Sequence, residues 1–367
     1  MKTVGIMSMQ KVRNYGSFLQ AYGLKKTIES LGFKVVFVDY NYEKEIVSDV
    51  KEKLFEKIIR NINVINYIKK KSVIKKYNVA FDNKYIPFLY AGDTKKYTQG
   101  NIDYLIIGSD EVFNCLQPYP IGYSPELFGK NFESIPVCSY AASFGQTNYE
   151  RLCEYGIEKE IAEYLKRFKK ISVRDENSYD TINKLIEKKP VLNLDPVLIT
   201  NYNNEIVDNV KIENYIIVYA YPGRLSKKEQ RAIKQFAKRN NKHILSFGMY
   251  QNISDYEIVV NPFEIFAYFK KADFVITDTF HGSIFSIKSG TNFCTIVRKS
   301  NLGNANKLVD LLKRLKLENR IIADITELDD LYSSSIDYTK TYEIIDKEKS
   351  KSIDYLKECL DCGDNDE

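Results

Sequence analysis

Short β-branched runs alternate with stretches of helical spacing along most of this chain. TVGIM at residues 3–7 is apolar on both faces, which predicts a buried strand. The loop Asn14–Tyr15–Gly16–Ser17 follows. Residues 18–31 then put Leu19, Tyr22, Leu24 and Ile28 on one helical face, with Gly32 placed to close the helix. KVVFVD at 34–39 is the next strand, and strand, helix, strand in that order predict a right-handed crossover and a parallel sheet. The rhythm stops over residues 42–100. There the lysine-rich stretch 45–76 keeps helical spacing and contains Lys69, Lys70 and Lys71, which predicts solvated helices inserted into a first lobe. It resumes with YLII (104–107), PVCSY (136–140), a helix over 149–168, KISV (170–173), a helix near 178–186 and PVLNL (190–194).

Residues 199–212 are polar and read as a linker. A second series follows: strands at 215–220, 243–247, 274–277 and 293–297, with helices at 226–240, 263–271, 283–290 and 305–315. The expected organisation is an α/β lobe over 1–198, carrying the insertion at about 42–100, then the linker. A second α/β lobe covers 213–334, and a tail over 335–367 holds a terminal helix that packs back on the first lobe. Two such lobes are expected to face a cleft.

Composition adds limits. The chain has 367 residues, enough for a substantial core. A formal charge of +5 is too mild to select among an anionic small molecule, a membrane surface and a nucleic acid. Of six cysteines only Cys359 and Cys362 have a suggestive spacing, and no second Cys/His pair completes a zinc site. No apolar run approaches the ~18 residues that span a bilayer, and MKTVGIMSMQ lacks the apolar length of a signal peptide. The expectation is a cytoplasmic protein with reduced thiols.

The most telling stretch is VITDTFHGSIFS at 275–286: a buried strand turning into a helix through Asp278 and Thr279, with His281 at the turn. Ligands of open α/β sheets sit at such strand ends, and a helix start favours an anion there. His281 is one of only 2 histidines; the other, His243, opens a strand and reads as structural.

Six strand-end motifs together resemble the polysaccharide pyruvyl transferase family. They are Asn14–Tyr15–Gly16–Ser17 with Leu19–Gln20–Ala21–Tyr22; IGSDEVFN at 107–114; SYAASFG at 139–145; ISVRD at 171–175; LDPVL at 194–198; and TDTFHG at 277–282. They occur in order over nearly the whole chain. Glu111 stands where the family commonly has Gln, Phe113 where it has Trp, and Asn306–Lys307 where it often has Ser–Arg. The last departure is expected to remove one cationic contact to an anionic ligand.

The resemblance implies two Rossmann-like lobes of the GT-B kind. It also implies transfer of the enolpyruvyl unit of phosphoenolpyruvate onto two hydroxyls of a saccharide, as a cyclic ketal, with phosphate leaving. The acceptor is a surface polysaccharide or its lipid-linked oligosaccharide precursor. The donor bears a phosphate and a carboxylate, which a guanidinium fork fits. Arg174 is the candidate, with Thr279, Gly282 and Ser283 adding amides and hydroxyls. The enol carbon needs a proton, and His281 suits either that task or the phosphate itself. Asp110 is a candidate for the attacking hydroxyl, Asp195 for fixing a turn and Asp278 for orienting the His281 loop. Asn14 and Gly16 face either substrate. No cofactor and no metal are expected, and no nucleic-acid partner.

Two other readings stay open. A nucleotide-sugar glycosyltransferase would share the lobes, though no glycine-rich fingerprint marks the second one. A non-catalytic binding protein would fit Glu111 and Asn306–Lys307. The lysine-rich stretch 45–76 also suits peripheral contact with the inner face of a membrane.

Overall fold

The computed structural model describes residues 1–43, 45–47, 64–91, 96–117, 122–298 and 305–362, with backbone alone for 64–68. The chain divides into two compact units.

The first unit comprises Met1–Ser48, Ile86–Asn201 and Glu343–Glu367. Its strands are β1 (Thr3–Met7), β2 (Lys34–Phe37), β3 (Tyr104–Asp110), β4 (Val137–Ala142), β5 (Ser172–Val173) and β6 (Val191–Leu192). All pair in parallel in the order β2-β1-β3-β4-β5-β6. The buried runs are apolar on both faces because helices cover both sides of such a sheet. Helix α1 (Tyr15–Glu29) begins three residues earlier than the sequence expectation, inside the 14–17 segment, because Asn14 caps it with Oδ1 accepting from the amides of Gly16 and Ser17. It lies close on the sheet: a Cβ on Gly108 of β3 would stand 2.2 Å from Leu24 Cδ2. Helix α2 (Glu176–Ile186) is capped by Asp175. A core of Leu105, Ile107, Phe113, Phe128, Phe144 and Leu165 fills one side, with the Phe113 ring 5.0 Å from Phe128 and 5.3 Å from Phe144. The terminal helix Thr339–Cys359 joins this unit from Glu343 onward, where Tyr355 Oη donates to Ser139 O at 2.8 Å.

The second unit comprises Asp49–Tyr85 and Tyr202–Tyr342. Its strands are β7 (Tyr215–Tyr219), β8 (His243–Phe247), β9 (Tyr256–Ile258), β10 (Phe274–Thr277), β11 (Phe293–Ile296) and β12 (Ile321–Ile322), parallel in the order β12-β11-β10-β7-β8-β9. Helices α3 (Glu264–Lys271) and α4 (Phe280–Ser289) flank β10 in sequence.

The insertion departs from expectation. It leaves the first sheet between β2 and β3, yet its described helix, Val64–Ala80, packs on the second unit. The reason is an aromatic row at i, i+4, i+8. Tyr77 and Phe81 are buried, Tyr85 Oη donates to Val260 O at 2.9 Å, and the Tyr77 ring lies where a Cβ on Gly248 would be, at 2.2 Å. Lys69, Lys71, Lys75 and Lys76 face solvent. The remainder of the lysine-rich stretch, 48–63, lies outside the described residues. No described helix is long and apolar enough to cross a membrane.

Candidate functional site

Both sheets reverse their winding once. In the first, the chain goes from β1 to β2 on one side and returns to β3 on the other; in the second, β8 and β9 lie to one side of β7 and β10 to the other. Ligands of open α/β sheets bind outside the carboxyl ends of strands at such points. The strand-end motifs fall on both.

At the first switch point, Ser17 Oγ of α1 donates to Asp110 Oδ2 at 2.6 Å, tying the Asn14 loop to the end of β3. Asp110 holds a positive φ of 70°, an uncommon conformation for a residue with a side chain. Arg174, just past β5, donates to Asp110 Oδ1 at 3.1 Å and to Asp195 Oδ2 at 2.8 Å. Asp195 also accepts from Ser109 Oγ at 3.3 Å and from the Val197 amide at 3.0 Å. Burial alone would lower the Arg174 pKa, but Asp110, Asp195, Asp175 and Glu111 outweigh it and hold the value above normal. Two carboxylates against one guanidinium leave the cluster acidic.

This geometry changes the reading of Arg174. Its side chain is 1% exposed and its fork is engaged by strand-end carboxylates, so it braces β3, β5 and β6. Asp195 is 0% exposed by the same measure, whereas Asp110, at 15%, reaches the surface. The other motif residues serve as scaffold. Ser143 Oγ donates to Asp175 Oδ2 at 2.6 Å, and Asn114 links Glu111 to Thr147.

At the second switch point, β10 ends in Asp278 and Thr279, and α4 begins at Phe280. Thr279 is its N-cap, its Oγ1 accepting from the Gly282 amide at 2.9 Å. The helix therefore starts three residues earlier than the sequence reading had it, and His281 lies inside its first turn. The half-buried His281 ring is edge-on to Phe280 at 5.6 Å and near Phe285 at 6.0 Å. Ser283 Oγ is buried against Thr279 O at 3.2 Å and Thr295 Oγ1 at 2.9 Å. Thr279, Gly282 and Ser283 thus build the turn from within.

Two of the cations around this turn, Arg298 and Arg224, lie in no motif of the sequence. Arg298, just past β11, reaches Asp278 Oδ2 at 3.0 Å and Glu229 Oε1 at 2.9 Å. The Tyr221 amide, past β7, donates to Asp278 Oδ1 at 3.1 Å. Arg224 lies over the Tyr221 ring, 4.3 Å from its centroid, and among the described residues it has no carboxylate within ion-pair distance. Lys307 Nζ is 5.8 Å from the Phe280 ring centroid. Lys307 thus sets a cation beside this turn at the place where the sequence led us to expect one lost. Asp278 is buried, and burial raises its pKa above normal despite Arg224, the Tyr221 amide and Arg298. A motif reading finds residues adjacent in sequence; Arg224 and Arg298 come from separate strand ends that only the sheet order makes neighbours.

His243 stands exposed at the start of β8, edge-on to Tyr256 at 5.4 Å. Among the described residues no group of three His, Cys, Asp or Glu is arranged to hold a metal ion, and all six cysteines are free thiols.

Two parallel six-stranded sheets with strand-end sites define a two-lobe α/β protein of the GT-B class. A family model for polysaccharide pyruvyl transferases matches residues 14–300, and the chain belongs to that family. Comparison with curated proteins gave no match. Among solved structures, the UDP-GlcNAc 2-epimerase from Methanocaldococcus jannaschii is 12% identical, with a TM-score of 0.50 over 99% of this chain and 100% of that one. A glycotransferase of kitacinnamycin is 12% identical, TM-score 0.48, over 97% and 98%. The MnaA–UDP complex from S. aureus is 12% identical, TM-score 0.46, over 96% and 97%. At such identity the first of these speaks to the fold alone.

Proposed function

We propose that this protein transfers the enolpyruvyl unit of phosphoenolpyruvate to a saccharide of a surface polysaccharide or of its lipid-linked precursor, forming a pyruvate ketal and releasing phosphate. The observation that carries the reading is Arg224, with no carboxylate at ion-pair distance among the described residues, beside the Asp278–His281 turn in a chain of this family. Phosphate and carboxylate both need fixed positive charge, and Arg224, propped on a ring, is the most available fork.

In this reading His281 donates a proton to the methylene carbon of the donor, and the carbon bearing the phosphate becomes oxocarbenium-like. One sugar hydroxyl adds there and loses its proton. The C–O bond to phosphate then breaks, and the second hydroxyl closes the ketal. One donor and one diol give one ketal and one phosphate. On the first unit, Arg174 and Ser17 hold the Asp110 carboxylate, a group able to accept a hydrogen bond from a sugar hydroxyl. Asn14 acts through the start of α1, and Asp195 through Arg174. The turn residues Thr279, Gly282 and Ser283 hold His281 where the donor meets it, and Asp278 fixes Arg298 beside them. No cofactor enters the scheme.

Calorimetry with phosphoenolpyruvate tests it. Wild-type protein should bind saturably, and Arg224→Ala should weaken binding by about tenfold or more, roughly 1.4 kcal/mol. His281→Gln should keep most of the affinity while lowering turnover by about a hundredfold. Failure of the wild type to bind phosphoenolpyruvate, alongside binding of uridine diphosphate, would replace this reading with a nucleotide-sugar transferase.

A further inference from the structure

The helix Val64–Ala80 of the insertion contains no acidic residue, so none of its lysines has a carboxylate one turn away along it. Residues 69–85 hold six lysines against one aspartate, a net charge of +5, as much as the whole chain carries. Lys69, Lys75, Lys76 and Lys84 are exposed and Lys70 is half-buried. Among the described residues, none of these five has a carboxylate within ion-pair distance. The basic helix Lys227–Arg239 differs, because acids are set into its face. Lys228 lies 3.6 Å from Asp324, Arg239 2.7 Å from Asp329, and Glu229 takes Arg298.

The aromatic row that docks the insertion decides which way its lysines point. Tyr77 and Phe81 are buried, and Tyr85 is fixed through Val260. The helical period then puts Lys69, Ser72, Lys75, Lys76 and Val79 on the outer face, where Val79 is 48% exposed. From Lys69 to Lys76 this face runs about 10 Å along the axis.

The outside of a helix encloses nothing, so a single small anion would be held there only through water. Charges of one sign spread over a helix face suit an extended anionic surface instead. Nucleic acid and an anionic membrane leaflet both offer one. A single strand of nucleic acid is held through stacked bases as well as charge, and Tyr77 and Phe81 are turned inward. A headgroup layer needs only exposed ammonium groups, each worth roughly fivefold in binding, and accepts an apolar side chain such as Val79 among them.

We infer that the outer face of this helix, with Lys69, Lys75 and Lys76 on it and Lys84 beyond, rests on the anionic headgroups of a membrane. The choice of a membrane rests in part on the proposed function, whose lipid-linked acceptor lies in one. Contact through this helix keeps the protein on the surface from one acceptor to the next.

The test sediments the full chain with vesicles of phosphatidylcholine alone and with vesicles holding about 30% phosphatidylglycerol. The protein should pellet with the anionic vesicles and stay in solution with the neutral ones. Raising salt from about 0.05 to 0.3 M should release it, since the ammonium groups are exposed. The variant Lys69→Ala/Lys75→Ala/Lys76→Ala should lose about tenfold or more in vesicle affinity and keep phosphoenolpyruvate affinity within about twofold. Lys227→Ala/Lys234→Ala/Lys238→Ala removes the same charge from the helix Lys227–Arg239 and should keep vesicle affinity within about twofold. Failure of the wild type to pellet, equal pelleting with neutral vesicles, or unchanged affinity in the first variant would each overturn the inference. An equal loss in both triple variants would overturn it by reducing the effect to net charge. Single-stranded RNA that binds more tightly than the vesicles, and loses its affinity in the first variant, would replace the membrane with a nucleic acid. Vesicle binding by a wild type that does not bind phosphoenolpyruvate would strike the proposed function and leave this face standing.

Discussion

Gly282 owes its identity to crowding rather than to a ligand. A Cβ there would stand 2.1 Å from Thr277 Oγ1 and 2.7 Å from Thr279 Oγ1, both part of the buried strand end. Gly282→Ala should therefore cost about 1–3 kcal/mol and lower the Tm; an unchanged Tm in a thermal melt would contradict the packing. Asp278 makes a pH prediction. Its carboxyl binds a proton more tightly folded than unfolded, because burial outweighs Arg224, the Tyr221 amide and Arg298. The stability from that proton is complete below the unfolded value of about 3.9 and is lost as pH rises through the raised folded value. Relative to wild type, Asp278→Asn should gain stability as pH rises from about 4 through that window. Urea unfolding at a series of pH values reads this directly, and parallel curves for the two proteins would count against it.

At the scale of elements, Arg174 ties the ends of β3 and β5 to Asp195, three residues past β6, through two carboxylates. Arg174→Met leaves Asp110 and Asp195 without that partner, and the expected loss is about 3–5 kcal/mol. A loss under about 1 kcal/mol in denaturant titration would mean that water or other groups already serve those carboxylates. The same elements show what the sequence could and could not reveal. β1, β3, β7 and β10 were legible because a strand covered on both faces is a plain apolar run. β9 and β12 were not, being two or three residues long at sheet edges. The helix read over 149–168 is two helices, Tyr149–Glu154 and Glu158–Lys166, parted at Gly156 with a φ of 67°. The start of α4 was placed late because the capping hydroxyl of Thr279 lacks the acidic residue three places on that usually marks a cap. Arg224 and Arg298 were missed for another reason. Arg298 meets Asp278 from another strand end, and Arg224 shares the loop past β7 with Tyr221, whose amide meets Asp278 across the sheet, so no spacing along the chain encodes their place.

Across the whole molecule the two sheets share one plan, and each carries motif residues at the strand ends where its winding reverses, the first sheet also beyond β4, β5 and β6. The chemistry at the two points differs. The first carries an excess of carboxylate around Asp110, suited to sugar hydroxyls; at the second Arg298 is held by Asp278 and Glu229, and Arg224 stands beside them without a carboxylate of its own among the described residues, suited to an anion. Most of the motif residues hold one another and the strand ends together, which is why they mark the family so clearly in the sequence. Carbon-labelled phosphoenolpyruvate should be incubated with the protein and a panel of saccharides carrying neighbouring free hydroxyls, with released phosphate and the labelled carbon followed together by NMR. The account predicts one phosphate for each labelled ketal carbon, with both signals lost in His281→Ala. Phosphoenolpyruvate left intact across the panel, or phosphate released with free pyruvate as the only labelled product, would contradict it.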